Sequence, residues 1–282
     1  MQAAPQAVGI ILANWNWKVV QRFVHERFGR LLSRSSCFGY LHRLGFVVKR
    51  PRKRLLKADA AKREAFIAFY AALRVEAQAT GARIIFVDEA HFRADVELRA
   101  KWVLRGEPAF ADSTSPRLGE KAIYYSGVCL EAGTVDTMGV SETCTAATSV
   151  AFLQQLRARY SGPLIVIWDN SPTHRGPEIR EYLATAGLAL RLVALPAYSP
   201  DFNPAEAIWD WAREEVTANT CFGTAASVRE HMARFFVGLA ERTAEVQRRC
   251  RRELQAQADA LAAAANEVLA QTDHVVLTLD SV

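Results

Sequence analysis

The sequence "RIIFVDEAHF" at residues 83–92, together with "PLIVIWDN" at residues 163–170, decides the fold class of this chain. Each contains a continuous apolar run that closes on an aspartate, Asp88 in the first and Asp169 in the second. Such a run is typical of a strand buried on both faces of a sheet. Ligands gather at the carboxyl ends of central parallel strands. The two runs therefore predict two central strands with a shared polar edge.

Segments typical of strands and of helices alternate beyond Gly81. Three early strands are predicted, over 83–92, over "KWVLRG" (101–106) and over "AIYYSGVCLEAGTVDTMGV" (122–140). Strand and helix units follow, with a further strand over "LRLVALP" (190–196) and helices from residue 225 onward. This order predicts an α/β fold with a mixed sheet and flanking helices.

Glu206 lies in the proline-rich stretch "LPAYSPDFNPAEAIWDW" (195–211). The apolar spacing after Pro204 predicts an amphipathic helix that begins at Asn203 as N-cap, with Pro204 at N1 and Glu206 at N3. A glutamate at N3 commonly reaches back to the N-cap amide in a capping box. A carboxylate held on the first turn of a helix can also bind a metal ion, so two roles stay open for Glu206.

The composition indicates a soluble protein with enough apolar residues for a packed core, since half of its 282 residues are hydrophobic. The first residues lack the pattern of a secretory signal, and no apolar run approaches the length of a membrane span. We therefore expect a cytoplasmic protein. The five cysteines are scattered and form no CxxC pair, which supports neither a disulfide framework nor a zinc site.

Charge is distributed unevenly along the chain. Residues 1–63 contain 14 Lys or Arg but only two acidic residues, a balance of +12, whereas the remainder carries −7. A basic block such as "VVKRPRKRLLK" (47–57) can be a solvated linker, but this difference between the two ends favours contact with nucleic acid.

The basic end contains two predicted short helices, the first ended by Gly29 and the second running from a serine cap at Ser33 or Ser35 to about Leu44. The spacing is that of a helix-turn-helix, although a plain helical hairpin gives the same pattern. The Arg-rich second helix and the basic tail favour a winged DNA-binding module. Its expected contacts with DNA are Arg34, Ser35, Ser36, Arg43, Lys49, Arg50, Arg52, Lys53 and Arg54.

Three carboxylates are the candidate catalytic residues: Asp88, Asp169 and Glu206. Singly, an aspartate after a strand is more often a turn former or a helix cap. Three acids brought together repel one another unless cations bind among them, and oxygen ligands select Mg²⁺ or Mn²⁺ over zinc. Two such ions about 3.5–4 Å apart support in-line phosphoryl displacement. With a basic DNA-binding module, this chemistry indicates cleavage and transfer of DNA strands.

The motifs "FVDEAHF", "IWDNSPTHRG" and "LPAYSPDFNPAEAIWDW" resemble the catalytic signatures of bacterial insertion-sequence transposases of the mariner-like superfamily, which carry a DDE triad on a ribonuclease H-like fold. The separations of 81 and 37 residues between successive acids are similar to that family's. The resemblance implies that Asp88, Asp169 and Glu206 bind two Mg²⁺ or Mn²⁺ ions. It implies supporting roles for Asn170, His174, Ser199, Pro200, Asn203 and Pro204. It also makes "KWVLRG" the family's second strand, with Trp102 and Arg105 near the DNA.

The resemblance implies a homodimer that cleaves DNA at the terminal inverted repeats of a transposon and joins the 3′ ends to target DNA. We predict an incomplete winged helix-turn-helix arm (1–57), a helical linker (58–80), a ribonuclease H-like catalytic domain (81–240) and a helical tail (241–282). Family members usually carry two helix-turn-helix units, and we expect only the second here, as in a fragment, a protein with a misassigned start or half of a frameshifted product. A truncated, non-catalytic DNA-binding protein and a structure-specific nuclease on the same fold are the alternatives.

Overall fold

A five-stranded mixed sheet forms the centre of the larger of two compact units, which divide between residues 54 and 55. The computed structural model describes residues 5–11, 14–48, 57–114, 119–185 and 187–264. The strand order is β3-β2-β1-β4-β5, with β1 (Arg83–Arg93), β2 (Lys121–Cys129), β3 (Thr134–Val140), β4 (Leu164–Trp168) and β5 (Leu190–Ala194). The first three strands are antiparallel, and β4 and β5 run parallel to β1. The mixed sheet predicted from the sequence is confirmed.

The prediction of a strand over 101–106 is wrong, because these residues form an exposed loop in which Trp102 is fully accessible. The chain that leaves β1 is held by a later segment, where the Asn219 amide donates to the Glu97 carbonyl at 2.9 Å, and residues 101–106 pair with none of the five strands described above. The third early strand comes instead from residues 122–140, which fold into β2, a turn and β3. Gly133 makes that turn with a φ of 64°.

The smaller unit contains the two predicted helices, α1 (Trp17–Phe28) and α2 (Arg34–Arg43). The Asn16 side chain caps α1, and Gly29 ends it in the left-handed conformation with a φ of 65°. The Ser33 hydroxyl accepts the Ser36 amide at 3.1 Å and caps α2. Asn16 and Gly29 therefore set the two ends of α1, and Ser33 sets the start of α2. The basic tail at 49–56 lies outside the described residues.

Helices cover both faces of the sheet. They are α3 (Ala60–Thr80), α4 (Ala146–Arg159), α5 (Pro177–Leu183), α6 (Glu206–Ala212), α7 (Ala225–Leu239), α8 (Thr243–Cys250) and helical residues 253–264, with a π-helical turn at Arg213–Thr217 after α6. The α4 and α5 helices pack on one face, against Ile85 and Val166. The other helices pack on the opposite face. Within the described ranges, none of these helices is long and apolar enough to cross a membrane.

The segments predicted as linker and tail contribute to the core of the sheet. Leu73 of α3 and Leu254 of the last helix are buried together with Phe86 and Ile167. Cys250 of α8 is buried beside α6 and α7. The domain limits given above remain predictions, but residues 60–80 and 243–264 pack within the second unit.

We expect Gly133→Ala to destabilise the fold more than Gly81→Ala. Both glycines have a positive φ, which costs an L-residue about 1 kcal/mol. A Cβ at Gly133 would also lie 2.3 Å from the Thr243 carbonyl oxygen, whereas a Cβ at Gly81 meets nothing within 4 Å. Relieving that clash should cost about 1–3 kcal/mol more. Urea unfolding of the two variants measures the difference, and equal losses would contradict this account of the turn.

Candidate active site

Asp88 lies within β1 and not at its end, which corrects the expectation from the sequence. The parallel pairing with β4 stops at Phe86 and Ile167, but β1 continues beside β2 to Arg93. The strand runs on because β2 pairs with it from Phe86 to Arg93. Asp169 directly follows β4, and the register of the last pair sets it beside Asp88. The shared polar edge therefore exists, although only one of its two strands ends there.

Consecutive residues of β1 serve opposite faces of the sheet. Asp88 contacts α6, where the Trp209 indole N–H donates to its Oδ2 at 3.1 Å. Glu89 points to the other face, where its Oε1 lies 2.7 Å from His174 Nε2. Because side chains alternate along a strand, the pair Asp88–Glu89 contributes a carboxylate to each side. Neither Glu89 nor Trp209 was assigned a role from the sequence, although both lie inside the quoted motifs.

His174 bridges two carboxylates. Its Nε2 contacts Glu89, and its Nδ1 lies 2.7 Å from Asp169 Oδ1, while the ring stacks on Trp168 with centroids 3.9 Å apart. Burial alone would lower the pKa of His174, but the hydrogen bonds to Asp169 and Glu89 outweigh it and raise the pKa to about 9. The protonated ring then donates from both nitrogens and fixes both acids.

Asp169 is held in its ionised form. The hydrogen bond from His174 lowers the pKa of the Asp169 carboxyl, and the Ser171 amide donates to the same Oδ1 at 2.9 Å. The side chain stays about half exposed. Asp169 is thus a fixed carboxylate at the mouth of the cleft.

The pKa values of Asp88 and Glu206 are shifted in the opposite direction to that of Asp169. Burial raises the pKa of Asp88 well above its usual value, and the charges of Glu206, Glu89 and Asp169 raise it further. Burial, followed by the charge of Asp210, also raises the pKa of Glu206. Ionisation of either acid therefore costs free energy in the folded state, and a bound cation would offset that cost.

The helix that carries Glu206 does not begin as predicted. Glu206 is the first residue of α6, and the Asn203 amide that a capping box would use donates to the Pro200 carbonyl at 3.0 Å. Instead, the Asn203 side chain accepts the Ala205 amide at 3.2 Å and donates to the Val87 carbonyl at 2.9 Å. The proline-rich turns place Asn203 beside β1, so it joins the start of α6 to the strand that carries Asp88.

A cleft of about 620 Å³ contains most of the predicted site residues. Its lining includes the three candidate acids, Asp88, Asp169 and Glu206, with Asn170, Ser199, Pro200 and Asn203. His174 lies behind Asp169, and Pro204 is buried next to Asn203. Across the described part of the chain, no three His, Cys, Asp or Glu side chains are already close enough together to hold a metal ion. The acids share one cleft without closing around a single centre.

The predicted DNA contacts lie elsewhere. Arg34, Ser35 and Arg43 are exposed on α2, whereas Ser36 is half-buried and its hydroxyl lies 2.9 Å from that of Ser33. Arg105 lies in the exposed loop after β1. The remaining basic residues, Lys49, Arg50, Arg52, Lys53 and Arg54, are outside the described ranges.

Comparison with known families agrees with this geometry. Residues 83–229, just over half of the chain, match the family described as "DDE superfamily endonuclease". The chain belongs to the DDE endonuclease superfamily. Residues 13–69 match the "Winged helix-turn helix" family, so this DDE endonuclease carries that module before its sheet. The resemblance inferred from the motifs is confirmed.

Individual relatives of this DDE endonuclease are more distant. It is 25% identical over 220 residues to the "Insertion element IS630 uncharacterized 39 kDa protein" of Shigella sonnei, and the match spans 77% of this chain but 62% of that protein. The solved "Mos1 transposase paired-end complex with left transposon end" is similar at 19% identity and a TM-score of 0.58, over 89% of this chain and 80% of the other.

A second solved structure supports the same fold. The "mariner Mos1 paired end complex with Mg" matches at 18% identity and a TM-score of 0.60, over 89% of this chain and 78% of the other. Identities this low establish the fold of the DDE endonuclease and no more. The fold class predicted from the sequence is thereby confirmed.

We expect Asp88→Asn to leave the metal-free DDE endonuclease at least as stable as the wild type at neutral pH. The raised pKa means that ionised Asp88 destabilises the folded state above the ordinary pKa of an aspartate. Asparagine removes that charge and keeps an oxygen for the Trp209 indole. Thermal melts in a chelator measure the effect.

Asp136→Asn is the matched control. Burial also raises the pKa of Asp136, but its carboxylate pairs with Arg159 at 2.7 Å and accepts the Tyr160 hydroxyl at 2.6 Å. This variant should lose about 1–2 kcal/mol, because asparagine has one oxygen for two donors and leaves either Arg159 or the Tyr160 hydroxyl without its acceptor. A lower melting temperature for Asp88→Asn than for Asp136→Asn would contradict the account of charge repulsion in the cleft.

Proposed function

We propose that this protein is a DNA transposase that uses Mg²⁺ or Mn²⁺ to cleave phosphodiester bonds at transposon ends and joins the 3′ ends to target DNA. The observation that carries the proposal is the cleft shared by Asp88, Asp169 and Glu206 in a member of the DDE endonuclease superfamily. The winged helix-turn-helix module supports DNA as the substrate.

The three carboxylates fit divalent cations. They provide only oxygen donors, and burial, with the charges of neighbouring carboxylates, raises the pKa of both Asp88 and Glu206, so that a bound cation would favour their ionised forms. Asp88, Asp169 and Glu206 would hold the metal. Divalent ions held by these acids, two of them in our proposal, would supply Lewis-acid chemistry for displacement at the phosphodiester.

The neighbouring side chains orient these acids. Protonated His174 holds Asp169, and its second N–H ties Asp169 to Glu89 on β1. Asn203 holds the first turn of α6 against the Val87 carbonyl, which keeps Glu206 beside Asp88. Groups supported in this way keep their geometry without help from substrate. The rigid support favours a role in chemistry over a role in capping for Glu206.

We infer that the smaller unit binds the terminal inverted repeats and that the exposed arginines of α2 contact phosphates or base edges. The printed names of the Mos1 structures describe paired-end complexes with transposon ends and with Mg or Mn. By analogy we propose that two copies of this chain pair two DNA ends as a homodimer, and that the protein acts at the nucleoid.

Each of the three acids should be required for cleavage. Asp88→Asn, Asp169→Asn and Glu206→Gln should each abolish Mg²⁺-dependent nicking of DNA that carries the genomic sequence flanking the gene, because amide oxygens bind hard divalent ions weakly. Glu230→Gln, an exposed glutamate on α7, should cleave like the wild type. Mapping the nicks by denaturing gel electrophoresis gives the result, and near wild-type cleavage by any of the three would overturn that residue's assignment.

Glu206→Ala separates the two roles of Glu206. Because the Asn203 amide is already paired with Pro200, we expect this variant to lose nicking without losing stability to helix capping. Full nicking by Glu206→Gln would indicate that Glu206 acts as a helix cap. So would a loss of about 1 kcal/mol in the free energy of unfolding of Glu206→Ala, measured by thermal melts.

The double variant Arg34→Ala/Arg43→Ala should weaken DNA binding and flatten its salt dependence. Each neutralised phosphate contributes a slope of roughly −0.9 to the log-log dependence of affinity on salt, so two lost contacts should reduce the slope by about 1.8. Arg229→Ala/Arg234→Ala on α7 is the control of equal charge. Fluorescence anisotropy with duplex DNA over a salt series measures both. Equal slopes in the two double variants would contradict binding through α2.

A further inference from the structure

The Asp88 carboxylate has a donor on the same helix that carries Glu206. The Trp209 indole N–H donates to Asp88 Oδ2 at 3.1 Å. Trp209 follows Glu206 by three residues, and residues at this spacing share one face of a helix. The start of α6 therefore provides both an acid for the cleft and a hydrogen bond to the acid on β1.

Packing fixes the direction of the Trp209 indole. The side chain is 1% exposed, and its ring makes edge contacts with Phe92 at 5.9 Å and Phe236 at 6.5 Å between centroids. A ring enclosed in this way has no other position that would keep the core filled. Its N–H group is thus a rigid donor for Asp88.

We propose that Trp209 is a positioning residue for the metal site: its indole N–H holds Asp88 Oδ2 and leaves Oδ1 to bind the cation. This inference rests on the proposed function, in which Asp88 is a metal ligand. A carboxylate that already accepts a hydrogen bond from the protein loses less conformational freedom when it binds an ion. Removal of the group that donates this hydrogen bond typically lowers metal affinity 10–100-fold. Trp209 would act through Asp88 and would not touch substrate.

The neighbouring Trp211 is a matched control. It is also fully buried on α6, and its indole N–H donates to a carboxylate, Glu215 Oε1, at 2.5 Å. Neither Trp211 nor Glu215 lines the cleft. Trp209→Phe and Trp211→Phe therefore remove the same group from the same helix, and only one of them affects Asp88.

The test measures metal binding by thermal stability of the full chain, without DNA. Melting temperatures are recorded in a chelator and over a series of Mn²⁺ or Mg²⁺ concentrations, because a ligand of the folded state raises the melting temperature by an amount that grows with the logarithm of its concentration relative to Kd. Both variants are expected to melt lower than the wild type in the chelator. Trp209→Phe should need about 10-fold more metal for the same stabilisation, and Trp211→Phe should need the same amount as the wild type.

Asp88→Asn distinguishes the two ways in which the idea can fail. If Asp88→Asn keeps the wild-type response to metal, Asp88 is not a ligand and the proposed metal site is wrong. If Asp88→Asn loses the response while Trp209→Phe keeps it, the metal site stands and the role of Trp209 is overturned. An equal loss in Trp209→Phe and Trp211→Phe would also overturn it, because general damage to α6 would explain both.

A measurement on the wild type covers the case in which Trp209→Phe does not fold. The chain has six tryptophans, and their indole N–H signals in a ¹H–¹⁵N spectrum can be assigned by replacing each of the other five in turn. Addition of Mg²⁺ should shift the signal of Trp209 and leave that of Trp211 unchanged. An unmoved Trp209 signal at a metal concentration that raises the melting temperature would overturn the proposal.

Discussion

The end of the parallel pairing between β1 and β4 is the constraint on which the site depends. The two strands pair as far as Phe86 and Ile167; β4 then stops at Trp168, and β1 continues with β2 as its partner. The chain that leaves β4 turns away from the sheet and opens a cleft along the exposed edge of β1. Asp88 lies at that edge, and every other element of the site approaches it from one of the two faces.

The two faces supply different kinds of support. On the side of α4 and α5, Glu89, His174 and Asp169 form a chain in which one protonated ring donates to two carboxylates and offsets one of their two charges. On the opposite side, α6 offers an indole N–H, and Asn203 offers an amide. Neutral donors orient a carboxylate but do not cancel its charge. Burial and the neighbouring carboxylates therefore raise the pKa of both Asp88 and Glu206, while Arg213 and Arg252 oppose the rise at Glu206.

The sequence predicts those parts of the structure that depend on local patterns. Continuous apolar runs indicate buried strands, and Gly29 and Ser33 set helix ends within a few residues, so α2, the end of α1, β1 and β4 follow directly. The prediction of a strand over 101–106 was wrong because short apolar runs occur in loops as well, and a strand forms only where a partner strand lies beside it. Whether a partner strand lies there depends on the arrangement of the whole sheet.

The candidate site, like the fold, could be predicted only where its residues belong to a local sequence pattern. The three acids could be assigned because each ends or follows a strong pattern, and the structure brings them to one cleft. The capping role of Glu206 could not be judged, since it depends on the Asn203 amide, whose bond to Pro200 comes from turn geometry. Glu89 and Trp209 were missed because their partners lie 85 and 121 residues away, and no local spacing reports such contacts.

The burial of Leu254 and Ala258 against the middle of the sheet has a consequence for biosynthesis. Domains generally fold as units during translation, and here the unit includes residues that leave the ribosome long after Glu206. A nascent chain that already carries all three acids still exposes Tyr70, Phe86 and Ile167 until the last helix arrives. The core around the candidate site is thus completed only after residues 253–264 have been synthesised, and chains released before them present apolar surface to chaperones and proteases.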